Sequence, residues 1–479
     1  MRNSFFTRNP TLKNFEPRIG FAWDPFHNGK TAIRGGIGLF DELPGAYITA
    51  LYNATTAPFL GTYGTVGPPG SASPLQGTFP YGIPAQLPAV KPTNVVWAYT
   101  DANIRRNYIT QWNFSVQRQL AANTTFTAAY AGAHGVHNPF LTEGGNSVQP
   151  VDVGNPIPGV GYYWPLQWSN SLSSAQQQAA LYNPFIQICR CTFWEGSSSY
   201  NSLQLKFDQR LYHGLQVGAS FTWSKSIDDS SGSAAADTFF NEWNALPTYD
   251  MRLVRGLSSY DIPRNLVING LYTAPTLKSL GTIGERVLGG WQLGIIATVQ
   301  DGYPLMPSMG METPDMLGEI IQTLNPPNVV PGCTIVNPGN IAHYLNGACF
   351  SMVPQTPTNT PYCDTVRAAS MGFPGFCPNI RGNLARNTIL GPGLADMDFS
   401  MVKNNYIRRI SESFDVQFRV ELFNALNRAN FAQPTLNANT GGGAMEAIFN
   451  SGTPNSQFGQ IVATQIPNRQ IQLALKLVW

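Results

Sequence analysis

Charged residues are scarce in this chain, and long hydrophobic runs are absent from it. Only 12% of its 479 residues are charged, against roughly a quarter in ordinary soluble domains. Yet no window contains the eighteen or more consecutive apolar residues that a transmembrane helix requires. The 29 basic residues form no runs and the net charge is only +2, so the sequence predicts no nucleic-acid partner. Low charge without helical spans is typical of a membrane β-barrel.

The segment 199–226 shows the pattern of two long strands joined by a short turn. Leu203, Leu205 and Phe207 alternate with polar residues, and a second alternating run follows the turn at 212–214. This period of two is the signature of a strand with one apolar face. Each run is about eleven to thirteen residues long, whereas soluble strands cluster near five or six and a tilted membrane strand needs roughly nine to eleven. The length favours strands that cross a bilayer.

The same pattern elsewhere predicts an all-β fold, an antiparallel transmembrane β-barrel with about eleven long strands. The predicted strands are 14–24, 30–41, 106–119, 123–134, 198–211, 214–226, 260–273, 289–301, 392–404, 411–424 and 468–479. They form one partial-barrel domain over 1–479, in which short turns alternate with the long connections 42–105, 135–197, 228–259, 302–391 and 425–467. Outer-membrane barrels have short periplasmic turns and long extracellular loops. We therefore expect the chain in the outer membrane of a Gram-negative cell.

Aromatic residues lie near both ends of the predicted strands. At the short-turn ends they are Trp23, Tyr272, Trp291, Tyr406 and Trp479. At the long-loop ends they are Phe40, Tyr108, Tyr130, Tyr200, Trp223 and Phe423. Aromatic side chains favour strands in general, but two bands at opposite ends are typical of the two interfaces of a membrane.

Five stretches resemble the barrel of the Oar-like TonB-dependent receptors. They are 14–25 (NFEPRIGFAWDP), 29–40 (GKTAIRGGIGLF), 200–207 (YNSLQLKF), 221–228 (FTWSKSID) and 418–431 (FRVELFNALNRANF). The resemblance implies an outer-membrane receptor of about twenty-two strands around an N-terminal plug. It also implies import of an extracellular ligand, powered through the TonB system. The ligand itself is not predicted, because specificity would lie in loops without a readable pattern.

The chain supplies only about half of the strands that this resemblance implies. We see no plug domain, and residues 1–8 lack the apolar core of a signal peptide. With eleven strands the first and the last run in the same direction, whereas bacterial barrels normally have an even number. An open half-barrel would also leave backbone groups unpaired in lipid along both edges. We therefore expect a fragment, the C-terminal half of a longer receptor, with TonB contacted through the missing plug.

The last predicted strand ends in an alternating apolar pattern. Leu473, Leu475, Leu477 and Trp479 share one face of this strand. The pattern predicts an assembly signal that the barrel assembly machinery would bind, although a soluble edge strand can show the same alternation. Outer-membrane lipid is the other partner that this face implies.

The six cysteines all fall in predicted extracellular loops. This even number outside the strands fits disulfides formed in an oxidising compartment. Cys333 with Cys349 and Cys363 with Cys377 are candidate local bridges, among the fifteen pairings that six cysteines allow. A different chemistry is open to Cys189 and Cys191, which have one residue between them and would suit a metal ion, but no second pair at zinc spacing accompanies them.

The remaining polar residues suggest no catalytic, cofactor or metal site. The histidines His134 and His137 fit either a ligand pair or, more simply, a solvated loop. A group of charged residues on the polar faces of the strands would either contact a plug or solvate the lumen: Lys206, Asp208, Asp396, Asp398, Asp415, Arg419, Glu421 and Lys476. The alternatives to import are an adhesion or surface-display barrel whose loops bind a partner, and an outer-membrane enzyme. Five scattered histidines and no motif favour a non-enzyme.

Overall fold

The structure is a computed structural model that describes part of the chain. The described residues are 14–42, 95–142, 151–152, 162–163, 186–231, 250–275, 287, 289–307, 326–351, 383–407, 409, 411, 414–434, 449–450 and 453–479. No helix among these residues has both the length and the apolar character needed to cross a membrane.

Strands make up most of the regular structure in the described residues. They are β1 (Arg18–Trp23), β2 (Thr31–Asp41), β3 (Val95–Thr100), β4 (Tyr108–Ala121), β5 (Thr124–Thr142), β6 (Val151–Asp152), β7 (Tyr162–Tyr163), β8 (Ile186–Tyr212), β9 (Leu215–Asp228), β10 (Gly256–Leu257), β11 (Arg264–Thr273), β12 (Trp291–Gln300), β13 (Pro304–Leu305), β14 (Asn328–Val329), β15 (Phe350–Ser351), β16 (Ile389–Leu390), β17 (Leu394–Tyr406), β18 (Asp415–Phe423), β19 (Phe449–Asn450), β20 (Thr453–Pro454) and β21 (Gln470–Val478). Short 3-10 helices occur at Met251–Val254, Ile341–His343 and Gly347–Cys349. The prediction of an all-β chain is confirmed.

One sheet contains every described strand that is longer than two residues. Its path is β1-β2-β4-β5-β8-β9-β11-β12-β17-β18-β21, and each step along this path is antiparallel. β3 adds to β8 in parallel, and β10 pairs with β9. Neighbours on the path follow one another along the chain, so the sheet is a meander, the order from which up-and-down barrels are built.

The strand bounds differ from the predicted ranges mainly at one hairpin. β5 continues to Thr142 and β8 already begins at Ile186, so both extend into the predicted loop 135–197. β3 lies in the predicted loop 42–105 and pairs with this extension of β8. The sequence pattern did not indicate β3 because 95–99 (VVWAY) is a continuous apolar run without alternation.

The cross-strand register gathers apolar side chains on one face of the sheet. Ile295 lies opposite Phe399, Phe399 opposite Leu422, and Leu422 opposite Ile471, so one apolar row crosses four strands. Successive residues of a strand point to opposite faces, and the row beside it lies on the other face. That row consists of Gly294, Ser400, Glu421 and Gln472. We call the two sides the apolar face and the polar face.

The apolar face is exposed rather than packed against a second layer. Leu473 and Leu475 are 66% and 68% exposed, and Ile19 at the other end of the path is 73% exposed. A soluble sandwich would bury such a face against a second sheet. The strands therefore have the arrangement that suits contact with lipid.

The rows of paired residues that cross the sheet are inclined to the line of the short-turn ends. In the row through Ser400, the β9 member is Gln216, one residue inside the short-turn end of β9. The β21 member is Gln472, six residues before the short-turn end of β21. The row thus shifts by roughly one residue per strand, and a rise of roughly 3.3 Å against a strand spacing of roughly 4.8 Å gives a tilt of about 35°. Membrane barrels have this tilt.

The register also divides the aromatic residues at the strand ends between the two faces. On the apolar face lie Trp23, Tyr108, Tyr130, Trp223, Tyr272 and Trp291. On the polar face lie Phe40, Tyr200, Tyr406 and Phe423. Only the first group faces outward toward lipid, and it still includes residues from both ends of the strands. A position near a strand end therefore did not by itself predict the face.

The sheet remains open in the structure. β1 and β21 are the ends of the path, and in the described part of the chain no hydrogen-bonded pairing joins them. All six residues of β1 are exposed, and so are all but one of the nine in β21. Because every step between them is antiparallel, the two edge strands run in the same direction.

The buried core of the described residues lies at the long-loop end rather than in the sheet. Its members are Phe140, Val254, Leu305, Met306, Tyr344, Leu345, Cys349, Phe350, Leu384, Ile389, Phe458 and Ile461. Most come from the segments 302–307, 326–351, 383–391 and 453–465, which we call the loop lobe. Phe140 of β5 and Val254 join the cluster from outside these segments. The predicted loops thus contain a folded unit with its own core.

Candidate functional site

The polar face of the sheet contains an open groove of about 550 Å³. We call it the polar groove, and it crosses the strands from β9 to β18. Its polar lining consists of Gln216, Asn269, Asp398, Ser400 and Glu421. Apolar surface is added by Leu271, Ile296 and Phe423. The floor of the groove is the row through Ser400. The groove is therefore inclined to the line of the short-turn ends, as that row is.

The lining of the polar groove offers carboxylates and neutral hydrogen-bonding groups to a ligand. The Asp398 Oδ1 accepts a hydrogen bond from the backbone N–H of Asn424 at 3.0 Å, and Ser400 lies opposite Glu421 in the ladder. Among the described residues that line the groove there is no histidine, so Ser400 lacks the usual base of a serine nucleophile. Two carboxylates beside neutral hydrogen-bonding groups and aliphatic surface would hold a polar or cationic group.

The charged residues that the sequence places in the lumen all lie on the polar face. They are Lys206, Asp208, Asp396, Asp398, Asp415, Arg419, Glu421 and Lys476. Lys206 and Asp208 form an ion pair at 3.0 Å. The Arg419 Nη2 donates to the Gln417 Oε1 at 2.8 Å. Of this set only Asp398 and Glu421 line the polar groove.

A buried ion pair joins the loop lobe to the end of β9. The Arg386 Nη1 donates to the Asp228 Oδ1 at 2.7 Å, and these side chains are 1% and 3% exposed. The same nitrogen donates to the carbonyl oxygens of Asp228 and Val254, and Nη2 donates to the Ser231 Oγ at 2.6 Å. These four acceptors contact two of the three guanidinium nitrogens, which compensates in part for the burial of the charge.

The neighbouring asparagine extends this contact along the rim. The Asn387 Nδ2 donates to the carbonyl oxygen of Leu257 at 2.7 Å and to the Ser259 Oγ at 3.3 Å. Asn387 has a φ of 58°, a left-handed conformation in which asparagine is enriched. Substitution by a β-branched residue would strain this turn, which directly follows Arg386.

Two further carboxyl groups, those of Asp229 and Asp261, are buried at the same rim. Burial raises the pKa of both carboxyl groups, and Arg255, whose Nη1 is 3.1 Å from the Asp229 Oδ1, counteracts this for Asp229. The Asp261 Oδ1 accepts from the backbone N–H of Ser226 at 2.7 Å. Its Oδ2 is buried and has no hydrogen-bond partner among the described residues, so the charged form of Asp261 is poorly stabilised.

We expect Asp261→Asn to stabilise the rim at neutral pH. Since the folded-state pKa of Asp261 is raised above 3.8, the folded state binds this proton more tightly than the unfolded state. The Asp261 carboxyl therefore contributes most to the stability of the folded state below about pH 4. This contribution is lost as the pH rises through the raised pKa of Asp261. The amide of the variant carries no charge and keeps an acceptor for Ser226.

Hydrogen exchange of the Ser226 amide, corrected for intrinsic rates, measures this effect. In the wild type, protection should fall as the pH rises above about 4 and passes through the raised pKa of Asp261, and Asp261→Asn should remove that dependence. Asp24→Asn, in an exposed turn at the other end of the sheet, should not change it. A pH dependence that persists in Asp261→Asn would show that another group is responsible.

Three cysteines with described side chains are disulfide-bonded. Cys333 and Cys349 form a disulfide within the loop lobe, with Cα atoms 5.4 Å apart; this is one of the pairings considered from the sequence. Cys191 is also disulfide-bonded, so its sulfur is not a free thiolate for a metal ion. Cys363 and Cys377 lie outside the described residues.

The two neighbouring histidines do not form a metal site in the structure. The His137 Nδ1 is 2.8 Å from the carbonyl oxygen of Arg106, so one ring nitrogen contacts the backbone. His134 lies within β5. In the described part of the chain, no group of three His, Cys, Asp or Glu side chains is arranged to hold a metal ion.

The predicted assembly signal lies at a free edge of the sheet. Leu473, Leu475 and Leu477 are opposite apolar residues of β18, and Trp479 follows the strand. All four side chains are between 50% and 85% exposed. Binding of the assembly machinery to these residues stays a prediction.

Sequence reasoning missed the contact between Arg386 and Asp228. The two residues are 158 positions apart, and both fall in or beside segments without a period. A lone arginine in a loop gives no local sign that it is buried, so only an alignment that revealed paired changes would have indicated this contact.

Taken together, the tilted meander and its two faces define a wall of the outer-membrane β-barrel type. A family model described as "Outer membrane beta barrel domain" matches residues 2–472. The chain belongs to this family, and it is an outer-membrane protein.

Solved structures of outer-membrane transporters are similar to the chain at low identity. The FrpB iron transporter from Neisseria meningitidis (F5-1 variant) is 9% identical with a TM-score of 0.40, over 96% of this chain and 39% of that one. The P. aeruginosa FpvA–pyoverdine–Fe complex is 8% identical with a TM-score of 0.39, over 96% and 32%. The outer membrane transporter YddB from Escherichia coli is 9% identical with a TM-score of 0.38, over 87% and 37%. The chain thus spans less than two fifths of the length of each. Among curated proteins no match was found.

Proposed function

We propose that this chain forms part of the wall of an outer-membrane receptor that imports a ligand in a TonB-dependent manner. The observation that carries this proposal is the polar groove, which lies on the face of a tilted membrane sheet that is turned away from lipid. Asp398 and Glu421 give this groove a defined binding chemistry. Membership of the outer-membrane barrel family supports the location, and the resemblance of 14–25 and 418–431 to Oar-like receptors supports the subtype.

We further propose that additional strands complete this wall and that the chain is the C-terminal half of a larger barrel. An unpaired backbone group costs several kcal/mol in lipid, so two open edges would cost on the order of tens of kcal/mol. This exceeds the net stability of a domain. Because β1 and β21 run in the same direction, antiparallel closure needs an odd number of further strands. The completed wall would enclose a plug domain through which TonB acts.

An uptake experiment with the intact natural gene tests import. Cells that carry the gene should deplete one solute from a panel of siderophore complexes, oligosaccharides and peptides faster than cells that lack it. Dissipating the proton gradient of the inner membrane should abolish this difference, because TonB-dependent import draws its energy from that membrane. Asp398→Asn should slow depletion about tenfold, as expected for the loss of a hydrogen bond to a charged group.

The control for the groove variant is Asp208→Asn, which lies on the same face outside the polar groove and pairs with Lys206. It should leave depletion unchanged. Energy-independent depletion, or equal effects of the two variants, would contradict import through this groove.

Adhesion or surface display is the second candidate function, and the folded loop lobe favours it. A packed core of twelve side chains at the long-loop end would give the cell a rigid binding surface. In this case deletion of the gene would abolish attachment of the cells to a partner surface while depletion of every solute stayed the same. The same pair of strains therefore separates the two functions.

A further inference from the structure

The loop lobe draws on parts of the wall that lie far apart. Its buried cluster includes Phe140 of β5 as well as Phe458 and Ile461, which lie between β18 and β21. Six steps of the sheet path separate β5 from β18, or about 29 Å at a strand spacing of roughly 4.8 Å. The cluster also takes Val254 and Leu305 from connections between these two regions. The buried cluster is therefore continuous along the long-loop end of the wall.

The loop lobe is internally coherent. The carbonyl oxygen of Gly459 accepts from the backbone N–H groups of Tyr344 at 2.8 Å and Leu345 at 3.3 Å. The backbone N–H of Ile461 donates to the carbonyl oxygen of Ile341 at 2.8 Å. β13 pairs with β16, and the disulfide between Cys333 and Cys349 closes a further loop. These bonds join segments from two connections into one unit, and none of them involves Arg386.

The attachment of this unit to the rim of β9 is polar and buried. Arg386 and Asn387 reach from the loop lobe to Asp228, at the end of β9, and to the segment 250–259. A buried pair of this kind is strongly sensitive to the loss of one partner, because the remaining charge has no compensation. Replacing both partners by apolar residues is often tolerated.

We propose that the loop lobe is a lid over the long-loop mouth of the wall and that the ion pair of Arg386 and Asp228 is the latch that holds it on the rim. When the latch is released, the lid separates from Phe140 and Val254 and opens as one unit, because the backbone hydrogen bonds and the disulfide within it do not involve Arg386. The proposal concerns the wall itself and holds whichever solute crosses it, so it goes beyond the proposed import.

Distances between spin labels on the full-length protein in lipid bilayers test the lid. One pair joins Ile341 of the loop lobe to Lys225 of β9, and the other joins Ile341 to Val462 within the loop lobe; all three side chains are exposed. In Arg386→Met the first distance should lengthen, with the ratio of closed to open molecules falling about 100-fold. The second distance should stay unchanged.

Two further variants complete the test. Arg252→Met removes an exposed arginine that pairs with Asp250 and should leave both distances as in the wild type. Adding Asp228→Leu to Arg386→Met should restore the closed distance, because no buried charge then lacks a partner. An unchanged lobe-to-wall distance in Arg386→Met would overturn the latch. A broadened distance within the loop lobe would overturn its opening as a unit, and either result can be obtained whether or not import is found.

Discussion

Trp194→Ala should release the outer part of the β5–β8 hairpin from its neighbours, at a cost of about 3–5 kcal/mol. Trp194 is fully buried, and its indole N–H donates to the carbonyl oxygen of Asp101 at 2.9 Å. Alanine would leave a large cavity and would remove the donor from a carbonyl group at a buried site. The Trp194 contact lies directly after the parallel ladder of β3 and β8 and adds to the pairing of these strands.

Hydrogen exchange of the extension measures this loss. The amides of β3 and of 139–142 should lose protection in Trp194→Ala, while those of β17 keep theirs. Trp223→Ala is the matched control, because Trp223 is 60% exposed on the apolar face and its removal leaves the extension packed. Equal protection in the two variants would mean that Trp194 does not hold the hairpin.

Ile295→Arg should destabilise the wall in a bilayer by about 2–4 kcal/mol, the cost of a cation on the lipid face near the midplane. Ile295 lies in the apolar row with Phe399. Ile296→Arg is the matched control, since Ile296 is the next residue, lies on the polar face and is opposite Asp398. There the new guanidinium would remain in contact with water and gain a nearby carboxylate, so we expect little loss.

Urea unfolding of the full-length protein in lipid vesicles, or its amount in the outer membrane, compares these two variants. The prediction requires Ile295→Arg to be far less stable than Ile296→Arg. If both were equally tolerated, the apolar face would not be in contact with acyl chains, and the assignment of the two faces would fail. If both were equally harmful, the polar face would have to be buried rather than wet.

The two proposals, import and a lid, have a joint consequence. The groove presents Asp398 and Glu421 on the polar face of the sheet, while the proposed latch lies at the end of β9. A ligand would have to displace the lid before it could reach the groove. Solutes that bind the loop lobe and weaken the pair of Arg386 and Asp228 would therefore be favoured for entry.

Much of the wall was predictable because strand alternation is local. In β18, Phe418 and Val420 alternate with Arg419 and Glu421, and the cross-strand partners of these residues in β21 lie on the faces that the pattern indicates. The polar groove was only partly predictable. Its carboxylates were among the candidate lumen groups, but their meeting with Gln216 and Asn269 depends on the stagger between strands, which no single strand records.

The sequence by itself determined the strand character, the two faces and the membrane setting, because each depends on residues one or two positions apart. Only the tertiary structure decided that the long connections pack into a lobe and that Arg386 is buried against a carboxylate 158 positions away. Contacts of that kind depend on where distant segments meet once the sheet is formed. A local pattern of apolar and polar residues contains no information about that meeting.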